Sequence, residues 1–104
     1  MTDEQFDKIA MDQIQKCSRM LFIKNKEYSV NDMDRFYSFK LAAAMQGCSI
    51  KRALAGMMAK HTASIYSMCR GGDYDLDQWV EKITDHINYL ILLRGIIEEE
   101  KGNV

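Results

Sequence analysis

The chain contains no proline, so nothing forces a helix to break except glycine, caps and turn residues. It has little cysteine: Cys17, Cys48 and Cys69 are scattered, with no CxxC pair. An odd count without paired spacing argues against a disulfide framework and for reduced, mostly buried thiols. Charge of one sign is also missing. The net charge of −1 leaves no basic field to hold a nucleic-acid backbone or an anionic membrane surface, although a small anionic ligand needs only a local cluster of donors. The longest apolar runs, such as Leu41 to Met45 and Tyr89 to Leu93, are far too short to span a bilayer. The opening MTDEQFDKIA is polar and lacks the apolar stretch of a signal peptide. The expected location is therefore the cytoplasm. GxGxxG, Walker, GxSxG and HExxH motifs are all missing, which removes most familiar enzyme classes.

What is present reads as one folded domain over residues 1–104. At 47% hydrophobic and 28% charged, the chain is far too apolar to stay disordered. Thr2 with Gln5 forms a capping-box pattern, opening a helix expected from Asp3 to about Lys26, with Phe6, Ile9, Ile14, Cys17, Leu21 and Phe22 as its apolar stripe. A polar stretch, KNKEYSVN, interrupts. A second helix is expected after Asn31, with Asp32 and Asp34 in its first turn and Gly47 as its stop. A third follows Ser49, with Ile50, Ala53, Leu54, Met57, Met58, His61, Ile65 and Met68 at helical spacing, and ends at Gly71-Gly72. A fourth runs from about Asp75 to Glu99, with Leu76, Val80, Ile83, Ile87 and Leu90 on one face. The fold class is all-α: a compact bundle of about four helices. Beyond Tyr89 the last helix is apolar on nearly every side, so it is either the central helix or part of a subunit interface; because four helices cover limited surface, a homodimer or higher oligomer is expected.

Three features could carry chemistry. On the last helix Glu81, Asp85 and Asn88 share a narrow sector, which continues as Leu92 and Ile96 with Tyr89 beside it. A polar line that runs into residues wanting burial suggests the wall of a pocket; the plainer reading is a solvated helix end with Lys82 as a partner. His61 lies in the third helix's apolar stripe, beside Lys60. It is either a core histidine with a satisfied hydrogen bond or a ligand-binding or proton-transferring group. The segment KNKEYSVNDMDRF crowds Lys24, Lys26, Glu27, Tyr28, Asp32, Asp34 and Arg35 between helices, where lysines and helix-start amides could meet phosphate or the carboxylates could add to a metal site. DYDLD, Asp73 to Asp77, resembles the start of a calcium loop. The glycine and glutamate such a loop needs are replaced by Gln78 and Thr84, so Asp75 or Asp77 is read as a helix cap. With acidic side chains and no obvious nucleophile, Mg2+ is the metal that fits, since it takes oxygen ligands and often one or two carboxylates plus substrate phosphates.

NKEYS, DRFYSFKLAA, ALAGMMAKHTASI and EKITDHINYLILL occur in this order. Over roughly residues 17 to 97 the chain resembles the phage- and prophage-associated family called nucleotide modification associated domain, first type. The positions carrying the resemblance are Lys26, Glu27, Tyr28 and Ser29; Phe39 and Lys40; Gly56, Met57, Lys60 and His61; and Asp85, Asn88 and Tyr89. Ser29 stands where that pattern has glycine. The layout is also distantly similar to the all-α MazG-type nucleoside triphosphate pyrophosphohydrolases, which hold magnesium between acidic residues of two helices. The chain departs from them in lacking a clean ExxE in its first two helices and in placing Glu81 and Asp85 four apart, not three.

The resemblance implies a phage-type, nucleotide-handling protein, acting in the host cytoplasm if phage-encoded. In one form it is a Mg2+-dependent pyrophosphohydrolase. Glu81 and Asp85 would then hold the metal, with Glu27 or Asp34 helping. His61, Lys60 and Lys26 would meet phosphates, and Asn88 and Tyr28 would orient sugar or base, with Tyr89 beside them. In a second form the same pocket sequesters a nucleotide, such as a host immune signal, without chemistry. A third reading is a helical protein-interaction module. Convergence of Glu27, His61 and Asp85 on one cavity would separate the first two from the third.

Overall fold

A computed structural model describes residues 1–24 and 34–104. Four α-helices make up the fold: α1 (Asp3–Ser18), α2 (Tyr37–Gln46), α3 (Ile50–Arg70) and α4 (Leu76–Glu100). No strand occurs among the described residues, so the all-α expectation holds. No described helix is long and apolar enough to cross a membrane.

The helix boundaries follow from local chemistry. The Thr2 hydroxyl accepts from the Gln5 N–H while the Gln5 side chain takes the Thr2 N–H, completing the expected capping box. Asp75 and Gln78 form the same reciprocal pair at the start of α4, and Ser49 caps α3 by accepting from the Arg52 N–H. Gly47, at φ 65°, closes α2: the Cys48 N–H reaches the Ala43 carbonyl and the Gly47 N–H that of Ala44, a left-handed stop that glycine adopts without a Cβ clash.

Two boundaries differ from expectation. The first helix is not uniform to Lys26: α1 ends at Ser18 and passes into a π-helical segment, Arg19–Lys24. Asn31, expected as the second helix's cap, and Lys26 lie outside the described residues. Asp34 is not in the first turn of α2, which begins at Tyr37. It stands before the helix, where its carboxylate accepts the Phe36 N–H at 2.9 Å and its carbonyl the Tyr37 N–H at 3.2 Å. An aspartate that bonds backbone two residues on competes with helix and so favours this turn.

Helix α4 is the central element. It packs against α3 on one side and α1 on another, and α3 also packs against α2. The residue pairs give the directions. Gln13 meets Thr84 and Cys17 meets Asn88, so α1 and α4 run parallel. Thr62 meets His86 and Lys51 meets Glu100, so α3 and α4 run antiparallel, as the short Gly71–Asp75 connection requires. The core is small: Leu54 is fully enclosed, and Ala43, Ala53, Met68, Ile96, Leu21 and Cys17 are the other buried apolar residues among those described. Cys48 is half-buried and Cys69 exposed, so burial of the thiols holds only for Cys17.

Much of the expected apolar stripe on α1 faces outward. Phe6, Ile9, Ile14 and Phe22 are each more than half exposed, while Cys17 and Leu21 are buried. Among the described residues the main helix packed on α1 is α4, which covers one edge of the stripe. On α4 the deepest residues are Thr84, Asn88 and Ile96, not the expected face of Leu76, Val80, Ile83, Ile87 and Leu90. The polar edge is turned inward because α1 brings its own polar groups to it.

The C-terminal end of α4 carries Glu98, Glu99 and Glu100, three carboxylates against the negative end of the helix dipole. Each is paired: Glu98 with Arg94, Glu99 with Lys40, Glu100 with Lys51. Lys51 sits in the first turn of α3, where a cation is also disfavoured, so the Lys51–Glu100 bridge offsets two unfavourable placements at once.

Candidate functional site

The geometry around Asp85 follows from which faces of α4 are used. Thr84 and Asn88 face α1, and His86 and Tyr89 face α3. At 100° per residue Asp85 and Glu81 fall between these two directions, on the side of α4 that looks into the groove between α1 and α3. Asp85 is half-buried and is not a free carboxylate. Glu81 is exposed.

The α3 wall of this groove holds His61. Its ring lies against Tyr89 with centroids 4.9 Å apart and planes tilted by 43°. Tyr89 is one helical turn from Asp85, so His61 and Asp85 belong to the same stretch of the groove. His61 Nδ1 is buried and has no hydrogen-bond partner among the described residues. Burying a polar atom without a partner costs about 1–3 kcal/mol. A core histidine held by a satisfied hydrogen bond does not carry that cost.

One turn toward the α3 C-terminus, Ser64, Ser67 and Met68 face Gln78, Glu81 and Lys82 of α4, with Tyr74 closing the end. Together they line a surface depression of about 260 Å³. Because α3 and α4 are antiparallel, His61–Tyr89 and this depression lie in register along one lane: moving from His61 to Ser64 on α3 parallels moving from Tyr89 to Asp85 on α4. The lane offers two carboxylates, an ammonium, two serine hydroxyls, two tyrosine rings and an imidazole. Such a set can meet phosphate and hydroxyl groups and, through Glu81 and Asp85, a divalent cation. Among the described residues no three His, Cys, Asp or Glu side chains are grouped to hold a metal ion.

Other expected site residues are placed differently. Asn88 turns away from the lane into the α1–α4 seam, where its Nδ2 donates to the Cys17 carbonyl at 3.3 Å and its Oδ1 is buried without a partner. Lys60 is exposed. Lys26, Glu27 and Tyr28 lie outside the described residues. Asp34, the alternative helper for a metal, belongs to the other end of the molecule. Lys40 Nζ contacts its Oδ2 at 2.6 Å and Glu99 Oε1 at 2.7 Å. Glu99 is fourteen residues along α4 from Asp85, roughly 21 Å at 1.5 Å per residue. The Lys40 hydrogen bond and the Phe36 N–H hold the Asp34 carboxyl below its ordinary value, while Asp34 and then Glu99 raise Lys40.

Some polar residues of this region carried weak sequence signals. Thr62 and His86 pair across α3 and α4, Oγ1 to Nε2 at 3.0 Å. The Thr62 hydroxyl also donates to the Met58 carbonyl at 3.3 Å, which leaves its oxygen to accept from an Nε2–H of His86. His86 sits beside Asp85 in the same DHINY stretch. Ser64 and Ser67 follow His61 at spacings of three, which put them along the same side of α3, but serines on a helix are common and do not mark a site by themselves.

A scan of protein-family models finds no match for this chain, and no curated protein or solved structure is significantly similar to it.

Proposed function

We propose that the chain binds a nucleotide in the lane between α3 and α4, with its phosphates toward Lys82, Ser64 and Ser67 and its base or sugar toward His61 and Tyr89. The observation that supports this reading most is the His61–Tyr89 pair beside Asp85. It puts an aromatic face, an imidazole with a buried, unpartnered nitrogen and a half-buried carboxylate in one groove. The depression is smaller than the roughly 300–1,000 Å³ of common ligand pockets, so it fits the phosphate part of such a ligand rather than the whole. The phage-type nucleotide-handling family, which the order of motifs resembles, belongs to the same proposal. So does self-association as a homo-oligomer, which the outward apolar residues of α1 and α4 favour.

Glu81 and Asp85 fit a magnesium ion shared with substrate phosphates, which commonly binds through one or two protein carboxylates. Bound there, magnesium would neutralise phosphate charge and activate water for pyrophosphate release. The non-catalytic form of the proposal needs only the donors and the aromatic surface.

The test incubates the purified protein with a mixed nucleotide pool, including cyclic dinucleotides, with and without Mg2+, and reads protein-bound and free fractions by mass spectrometry. Monophosphates and pyrophosphate appearing only with Mg2+ establish hydrolysis, and Asp85→Asn should then abolish it. An intact nucleotide released on denaturation establishes a binder. With neither product nor bound nucleotide, the nucleotide reading fails.

A further inference from the structure

The stripe Leu76, Val80, Ile83, Ile87, Leu90 and Ile97 on α4 has the spacing 4-3-4-3-7, a strict heptad seam broken only at Arg94. A seven-residue apolar repeat keeps its seam facing another helix over its whole length. No helix among the described residues fills that role. α1 takes the Thr84–Asn88 side and α3 the His86–Tyr89 side, while the stripe lies about half a turn from Asp85, on the far side of α4. Leu76 is 74% exposed and Leu90 50%, with Ile83 and Ile87 half-buried between them.

We propose that α4 pairs along this seam with α4 of a second copy, in an antiparallel, two-fold symmetric dimer. Self-complementary charge argues for a second copy as the partner: the break in the seam is a cation, Arg94, while Asp73, Asp75 and Asp77 stand at the other end of the same helix.

Charge sets the direction. Parallel pairing would stack Arg94 on its own copy and align the two helix dipoles. Antiparallel pairing, with the two-fold between Ile83 and Ile87, brings Arg94 to the partner's α4 N-terminus, where Asp73, Asp75 and Asp77 stand. Arg94 is 78% exposed at its side chain, and among the described residues its ion pair is a long, 3.7 Å contact with Glu98. The break in the seam thereby becomes the group that selects orientation. The dimer face and the proposed nucleotide lane lie on opposite sides of α4, so each can fail without the other.

Sedimentation equilibrium on the full chain should give twice the 12.0 kDa mass. Leu90→Glu should return it to the single-chain mass with helical circular dichroism retained. Leu90→Ala, milder at a half-exposed position away from the two-fold, should weaken the dimer by roughly 10-fold. Met45→Glu, on the exposed side of α2, should leave the dimer intact. Arg94→Glu should weaken it, and an unchanged dimer in that variant would overturn the antiparallel order. A wild-type protein of single-chain mass at every concentration up to its solubility limit overturns the proposal, as does a Leu90→Glu protein that remains a dimer.

Discussion

Asn88 of α4 donates from Nδ2 to the carbonyl of Cys17 at 3.3 Å, at the residue one short of the end of α1, where regular α-helix gives way to the π-helical segment. A change of helical pitch disturbs the regular carbonyl ladder, and a side-chain amide from the neighbouring helix is one way to satisfy it. One turn earlier Gln13 Nε2 donates to Thr84 Oγ1 at 2.7 Å and lies 3.5 Å from Cys17 Sγ. Gln13 and Cys17 are four apart on α1, Thr84 and Asn88 four apart on α4. The two pairs form a polar seam that fixes the parallel register of the helices, because a slip of either helix would strand all of its members.

Replacing Asn88 with alanine removes the donor to Cys17 and leaves a small void at a buried position. The loss should be about 1–3 kcal/mol. For a domain of this size that lowers the melting temperature by roughly 4–8 °C per kcal/mol. Thermal unfolding followed by circular dichroism reads it directly. A melting temperature equal to wild type would mean that the seam does not hold α1 in place.

Gly95 makes the second prediction. It lies inside α4, where glycine costs about 1 kcal/mol of helix propensity relative to alanine. A Cβ at this position would stand 2.7 Å from Phe36 Cζ, so the glycine lets the ring at the start of α2 rest on the helix backbone. Gly95→Val should therefore destabilise the fold by about 1–3 kcal/mol through overpacking, despite the better propensity. In a Phe36→Ala background the same change should cost little or become favourable. A double-mutant cycle in urea that shows simple additivity would sever Gly95 from Phe36.

The Lys40 bridge predicts a pH dependence whose sign follows from its two partners. Asp34 is held below its ordinary value, so its contribution is fully present above about pH 4 and is lost as pH falls through the lowered folded-state value. Lys40 is raised, so its contribution is complete below about pH 10 and is lost as pH rises through the raised value. The difference in melting temperature between wild type and Lys40→Met should be widest between these limits, shrink at both extremes, and narrow in high salt because the pair is partly exposed. A constant difference from pH 2 to pH 7 would exclude the bridge as its source.

How legible this molecule is from its residues depends on what each signal measures. Caps are local, so Thr2–Gln5, Ser49, Asp75 and Gly47 announce the helix ends with short-range chemistry that tertiary packing does not change. The α4 stripe at Leu76 to Leu90 is equally visible, yet its meaning is not: a heptad seam says that a helix packs there, not which chain supplies it. Asn88 and Asp85 look equivalent on a helical wheel. Only the position of α1 sends Asn88 into the seam and leaves Asp85 in the groove. The π-helical segment after Ser18 carries no compositional mark, since RMLFIK would continue an α-helix equally well.

His61 provides the sharpest separation between function and stability. Its ring packs on Tyr89 while Nδ1 is buried without a partner. Phenylalanine keeps the ring and removes the unsatisfied nitrogen. If His61 is retained for a ligand, His61→Phe should raise the stability of the unliganded protein by about 1 kcal/mol and abolish nucleotide retention. If His61 is a structural histidine, the same change should lower stability or leave it unaltered, and any retained nucleotide should stay bound. Chemical unfolding of the unliganded variant, set beside the mass-spectrometric retention assay, distinguishes the two. A stabilised variant that no longer holds nucleotide places His61 in the binding lane, because gain of stability with loss of binding is the pattern of a group kept for its chemistry against the interest of the fold.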